Sequence, residues 1–208
     1  MSSLSIPLPA VSHKPMRRLS VDEYHRMIDA GILVSGEPYE LINGFLVHKN
    51  RSARGEDPMT VGHEHLWGVN NLTRIGRKLD RFGCHMQTQG PVVMSNYDEP
   101  EPDGAILKGS MDDYKKRTPE AADATCVIEV SDSSLADDRN DKLVAYANSG
   151  IAQYIIINLP DRVVEVYTDP QVGKGRYARV ETLRPNNKVQ FVLPKGQVLA
   201  VPVRNFLP

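Results

Sequence analysis

Cysteine is nearly absent from this 208-residue sequence: Cys84 and Cys126 are the only two. That is too few for a disulfide-stapled secreted scaffold, and the spacing does not suit a zinc site. Both fall in segments that read as strands, so two reduced thiols in a cytoplasmic core are expected. An excess of one charge is absent as well. Twenty-five Lys and Arg stand against 26 Asp and Glu, a net charge of −1, which gives no global electrostatic case for nucleic acid or a membrane surface. No apolar run approaches the length needed to span a bilayer. The first 15 residues contain Ser and Pro but no basic start followed by an apolar run, and so do not read as a signal peptide.

What remains is an ordinary globular composition, 40% hydrophobic and 25% charged. It is long enough for one domain with a substantial core. Residues 1–16 read as a flexible N-terminal arm and residues 17–208 as a single domain.

Local signals then set the elements. Ser20-Val21-Asp22-Glu23 is a capping box opening a short helix that Gly31 stops. Asn43-Gly44 between Tyr39–Ile42 and Phe45–His48 predicts a hairpin. Leu66, Val69, Leu72, Ile75 and Leu79 recur at helical spacing, with Arg74, Arg77, Lys78 and Arg81 between them; this predicts an amphipathic helix over about 62–82. Strands are expected near 84–89, 91–94 and 102–107, and a polar loop over 108–123. An apolar strand follows at 124–131, a helix to about Ser149, a strand at 153–158 and a β-rich tail. The fold expected is α/β (α+β), with a mixed central sheet flanked by helices. Residues 124–158 form a strand–helix–strand crossover.

Three residues carry the chemical interest. Asp103 follows Pro102 at a strand entrance, where it reads either as a ligand or as a solvated turn aspartate. Glu129 sits between Ile128 and Val130 in an interior strand. A carboxylate there is paired, metal-bound or protonated, and a structural salt bridge is the plain alternative. Lys142 lies on the following helix, which can carry it back over Glu129; a surface lysine is its default reading. Glu40, in the first hairpin, could supply a third carboxylate or lie exposed. His63 and His65, two residues apart, do not share a helix face and so make no metal pair; capping, surface or substrate contact remain open to each. The basic stripe and Lys115-Lys116-Arg117 could meet phosphates or simply face water.

Taken in order, Tyr39-Glu40-Leu41-Ile42-Asn43-Gly44, Glu101-Pro102-Asp103, Ile128-Glu129-Val130-Ser131-Asp132-Ser133-Ser134-Leu135, Lys142-Leu143-Val144-Ala145-Tyr146-Ala147, Gly150-Ile151-Ala152-Gln153-Tyr154 and Asp161-Arg162-Val163-Val164-Glu165-Val166-Tyr167 resemble the Uma-two family of endonucleases. That family is a bacterial branch of the PD-(D/E)XK, restriction-endonuclease-like superfamily. The resemblance implies a restriction-endonuclease-like core with Asp103 and Glu129 as the motif acids and metal ligands. The superfamily pattern places its lysine two residues after the glutamate, where this sequence has Ser131. The family is similar in moving that lysine to the following helix, which maps onto Lys142, and Glu40 matches its early hairpin glutamate. The implied activity is hydrolysis of DNA phosphodiester bonds with Mg²⁺ or Mn²⁺, by a cytoplasmic homodimer. The alternative is a catalytically silent module of the same fold that binds DNA or a protein partner.

Overall fold

The computed structural model describes residues 16–34, 38–48 and 62–208. Most of the N-terminal arm and the polar stretch expected at 50–60 lie outside them. Helix α1 (Val21–Asp29) opens on the expected capping box, with Ser20 Oγ accepting from the Glu23 N–H and the Glu23 side chain accepting from Ser20 N–H. Strands β1 (Tyr39–Ile42) and β2 (Phe45–His48) form the expected hairpin. Asn43 and Gly44 both take positive φ at its turn, as that turn type demands.

The central sheet has six strands: β3 (Cys84–Gln87), β4 (Gly104–Lys108), β5 (Ala124–Ser131), β6 (Gln153–Asn158), β7 (Val163–Gln171) and β8 (Arg176–Leu183). They lie in sequence order. Only β5 and β6 run parallel, joined by the helical crossover, while every other pair is antiparallel. The sheet is therefore mixed, as expected. A second hairpin, β9 (Lys188–Val192) with β10 (Val198–Pro202), stands outside it.

Alternation along β5 decides which layer sees which residue. Cys126, Ile128 and Val130 face a core shared with α2 (His63–Gly76) and the β9–β10 hairpin, through Val69, Leu72, Ile75, Val189 and Phe191. Val127 faces the other core, with Tyr146, Tyr154 and Ile156. Glu129 and Ser131 share that second side. Close approach of α2 to the sheet depends on Gly68: a Cβ there would fall 2.7 Å from Val130 Cγ1.

The crossover is not a plain helix. It comprises α3 (Leu135–Asp137), a π-helical turn (Asp138–Lys142) and α4 (Leu143–Asn148). Two other expectations shift. The long helix ends at Gly76, and a separate 3₁₀ turn over Asp80–Phe82 leads to Gly83 in the left-handed conformation. No strand forms at 91–94; Met94 N–H bonds Asp98 O and turns the chain back, leaving one bridge between Val93 and Glu120. Cys84 and Cys126 are both buried and free.

Candidate active site

Backbone pairing and the helical crossover bring four acids to one end of the sheet. Gly104 pairs with Ile128, so the residue before it, Asp103, comes level with Glu129 on the neighbouring strand. Asp103 Oδ2 accepts from Val130 N–H at 2.9 Å and lies 3.2 Å from His65 Nε2, at the start of α2. Glu40 arrives from β1 because Leu41 exchanges backbone bonds with Glu99. Its Oε2 accepts from Glu101 N–H at 3.1 Å. The fourth acid is Asp138, in the π turn, whose Oδ2 accepts from Ser131 Oγ at 2.6 Å and Ser134 Oγ at 2.8 Å.

Lys142 stands among these acids. Its Nζ is 3.1 Å from Glu129 Oε1, 3.5 Å from Glu40 Oε1 and 3.8 Å from Asp138 Oδ1. Tyr146, one turn along, donates its O–H to Glu129 Oε1 at 2.7 Å. Lys142 is thus no surface lysine: its side chain is 15% exposed, and that of Glu129 is 3% exposed. Burial alone would lower the lysine's pKa. The surrounding carboxylates, led by Glu129 and Glu40, outweigh it and hold the ammonium well above the ordinary lysine range. For Glu129 the balance falls the other way. Burial pushes its carboxyl up to about 8 against the pull of Lys142, with Asp138, Asp103 and Glu40 adding to the rise. Burial raises Asp138 as well.

A carboxyl raised in the folded state binds a proton that the unfolded chain releases, so stability falls as pH rises between the two pKa values. For Glu129 that window runs from its ordinary 4.5 to about 8. In EDTA, the midpoint of thermal unfolding is expected to drop by several degrees from pH 5 to pH 8. Glu129→Gln should remove most of that slope. A wild-type midpoint that rises with pH, or a variant with the same slope, contradicts this electrostatic picture.

The donor set accommodates a hard divalent cation. Asp103 and Glu129 each commit one oxygen to protein donors. Among the described residues no hydrogen bond engages Asp103 Oδ1 or Glu129 Oε2. Acids outnumber the single ammonium, and Asp138, Asp103 and Glu40 add to the rise that burial sets in the Glu129 pKa. Among the described residues no group of three or more His, Cys, Asp and Glu forms a ready cage for a metal ion.

All four residues picked from sequence thus lie in one neighbourhood. Sequence reasoning missed the partnership of His65 with Asp103, and it missed Asp138 entirely. The signal for Asp138 was there: an acid four residues before Lys142, following a Ser-rich turn. The basic stripe is exposed at Arg74, Arg77, Lys78 and Arg81. The second basic candidate is largely neutralised locally, since Lys115 pairs with Asp112 at 2.8 Å and Arg117 with Asp123 at 2.6 Å. Among the described residues no helix is long and apolar enough to cross a membrane.

Mixed sheet, crossover helix and the acids at the sheet end together define a restriction-endonuclease-like fold. A crystal structure of a putative nuclease belonging to DUF820, from Anabaena variabilis, shares this fold. Its TM-score is 0.63 at 16% sequence identity, over 90% of this chain and 97% of that one. The chain belongs to the Uma2 family, described as putative restriction endonuclease, whose model matches residues 21–202. No curated protein matches it.

Proposed function

We propose that the chain is a divalent-metal-dependent endonuclease that hydrolyses DNA phosphodiester bonds, with Asp103 and Glu129 holding Mg²⁺ or Mn²⁺. The observation that carries this reading is the Lys142 ammonium, held 3.1 Å from Glu129 and 3.5 Å from Glu40, with Asp103 level with Glu129 just before the neighbouring strand. Membership of a family described as putative restriction endonuclease supports the choice of DNA.

The bound cation would polarise a phosphate oxygen and lower the pKa of a coordinated water. The protein's own groups do the rest. Val130 N–H and His65 fix Asp103 through Oδ2 and leave Oδ1 for the ligand. The Tyr146 hydroxyl does the same for Glu129. Lys142 orients the attacking water and stabilises charge on the phosphate in the transition state. Glu40, pinned by Glu101 N–H, restrains the ammonium. As water oxygen bonds to phosphorus it releases a proton to solvent, the phosphorus–oxygen bond to the leaving sugar breaks, and the departing oxygen takes up a proton from solvent. Exposed Arg74, Arg77, Lys78 and Arg81 are available for phosphate contacts. A homodimer suits cleavage of both strands of a duplex, and two buried thiols accord with a cytoplasmic setting.

The test is nicking of supercoiled plasmid with Mg²⁺ or Mn²⁺ and with EDTA, beside calorimetric titration of each metal into wild type and Glu129→Gln. Cleavage that needs metal, together with metal binding at least tenfold weaker in the variant, is the expected result. A folded wild type that neither binds metal nor nicks DNA would point instead to the silent binding module.

A further inference from the structure

We propose that Asp138 is the positioning residue for Lys142: a buried carboxylate, clamped by two serine hydroxyls in a π-helical turn, that fixes the ammonium against Glu129 and Glu40. This rests on the nuclease reading above and adds a residue to it.

Asp138 has a side chain only 2% exposed. Ser131 and Ser134 satisfy its Oδ2 and leave the carboxylate one orientation. Its Oδ1 is buried without a hydrogen-bond donor. The cation that Oδ1 faces is Lys142, at 3.8 Å. A buried carboxylate oxygen with no donor is costly in isolation, and here an ammonium offsets that cost through space. Lysine's four-carbon stem otherwise has many rotamers. Oxygens at 3.1, 3.5 and 3.8 Å from Nζ, carried by three different elements, leave the ammonium one place to sit.

The backbone is built to the same end. A π turn is a rare local departure from helical pairing and needs anchors. This one is tied to three strands. Ser131, on β5, holds the Asp138 side chain, and the Tyr154 hydroxyl, on β6, donates to Asp138 O at 3.0 Å. Arg139 reaches Glu165 on β7 with two bonds, at 3.1 and 2.5 Å. Asn158 and Tyr167 also donate to Glu165, so that end of the clamp is well satisfied. Lys142 is the last residue of the turn, so its Cα is set by the same anchors that aim Asp138.

Two measurements test the proposal. The first is steady-state plasmid cleavage by wild type, Asp138→Asn, Lys142→Ala and the double variant. Asp138→Asn keeps the size of the side chain and an acceptor for the serines but loses the charge. It should lower kcat about tenfold or more with KM within about twofold, and add less than about twofold in the Lys142→Ala background. An equal loss in both backgrounds would mean a merely structural role and overturns the proposal. Ser131→Ala, which frees the clamp while keeping the acid, should show part of the same kcat loss; wild-type kcat there also counts against it.

The second measurement needs no activity: the rate of reductive methylation of Lys142, followed by mass spectrometry. Asp138→Asn should react about fivefold faster or more than wild type as the ammonium loosens. An unchanged rate overturns the link between the two residues. A faster rate in a protein that cleaves nothing would uphold the link while removing the nuclease reading, so the two failures are distinguishable.

Discussion

Asp103→Ala should lower metal-dependent DNA cleavage by about a thousandfold or more, because it removes one of two carboxylates available to the cation. Cleavage would be followed by plasmid nicking at saturating Mg²⁺. The fold should survive. Asp103 contributes one acceptor to Val130 N–H and one contact to His65, so its loss costs about 1–3 kcal/mol of stability. Asp103→Asn sharpens the experiment, since its amide oxygen can still accept from Val130 N–H while the anionic charge is gone. A native circular-dichroism spectrum with cleavage near background is the predicted pairing. Wild-type rates in either variant would take Asp103 out of the reaction.

Lys142→Met carries the second large effect, on stability as well as rate. Truncating the ammonium leaves Glu129, Glu40 and Asp138 without the cation that all three approach. Removing one partner of a buried ion pair typically costs about 3–5 kcal/mol. Glu129 titrates near 8, so the loss should be larger at pH 8.5 than at pH 5.5, where a proton can take over part of the ammonium's task. Urea unfolding at the two pH values measures this directly. Cleavage should fall by about a hundredfold or more at the same time. Lys142→Arg is not expected to rescue it, because a planar guanidinium cannot occupy the position of a compact ammonium among three carboxylates. Unaltered stability at both pH values would contradict the ion cluster.

Much of this centre could be read from the chain because its elements are signalled locally. The Asn-Gly turn fixes the hairpin that brings Glu40, and the unbroken run from Ala124 to Ser131 fixes β5 with Glu129 facing the crossover helix. Alternation and helical reach were then enough to bring Lys142 back to Glu129. The parts that escaped depend on tertiary pairing. Nothing local says that Val130 N–H turns toward Asp103, or that His65 at a helix start reaches a strand 38 residues later. The π turn escaped for another reason: nothing local in Asp138–Lys142 separates a π turn from an α-helix, and its extra residue is held by Ser131, Tyr154 and Glu165 on three strands. The stretch at 91–94 misled because Val92, Val93 and Met94 are strand-like in composition, yet Met94 closes a tight turn onto Asp98.

The most direct measurement of the central claim is a crystal structure grown with Mn²⁺, with anomalous density used to place the ion. The account predicts one peak bridged by Asp103 and Glu129, with Lys142 Nζ still against Glu129. A fully occupied ion elsewhere, or bare carboxylates at saturating Mn²⁺, would contradict it.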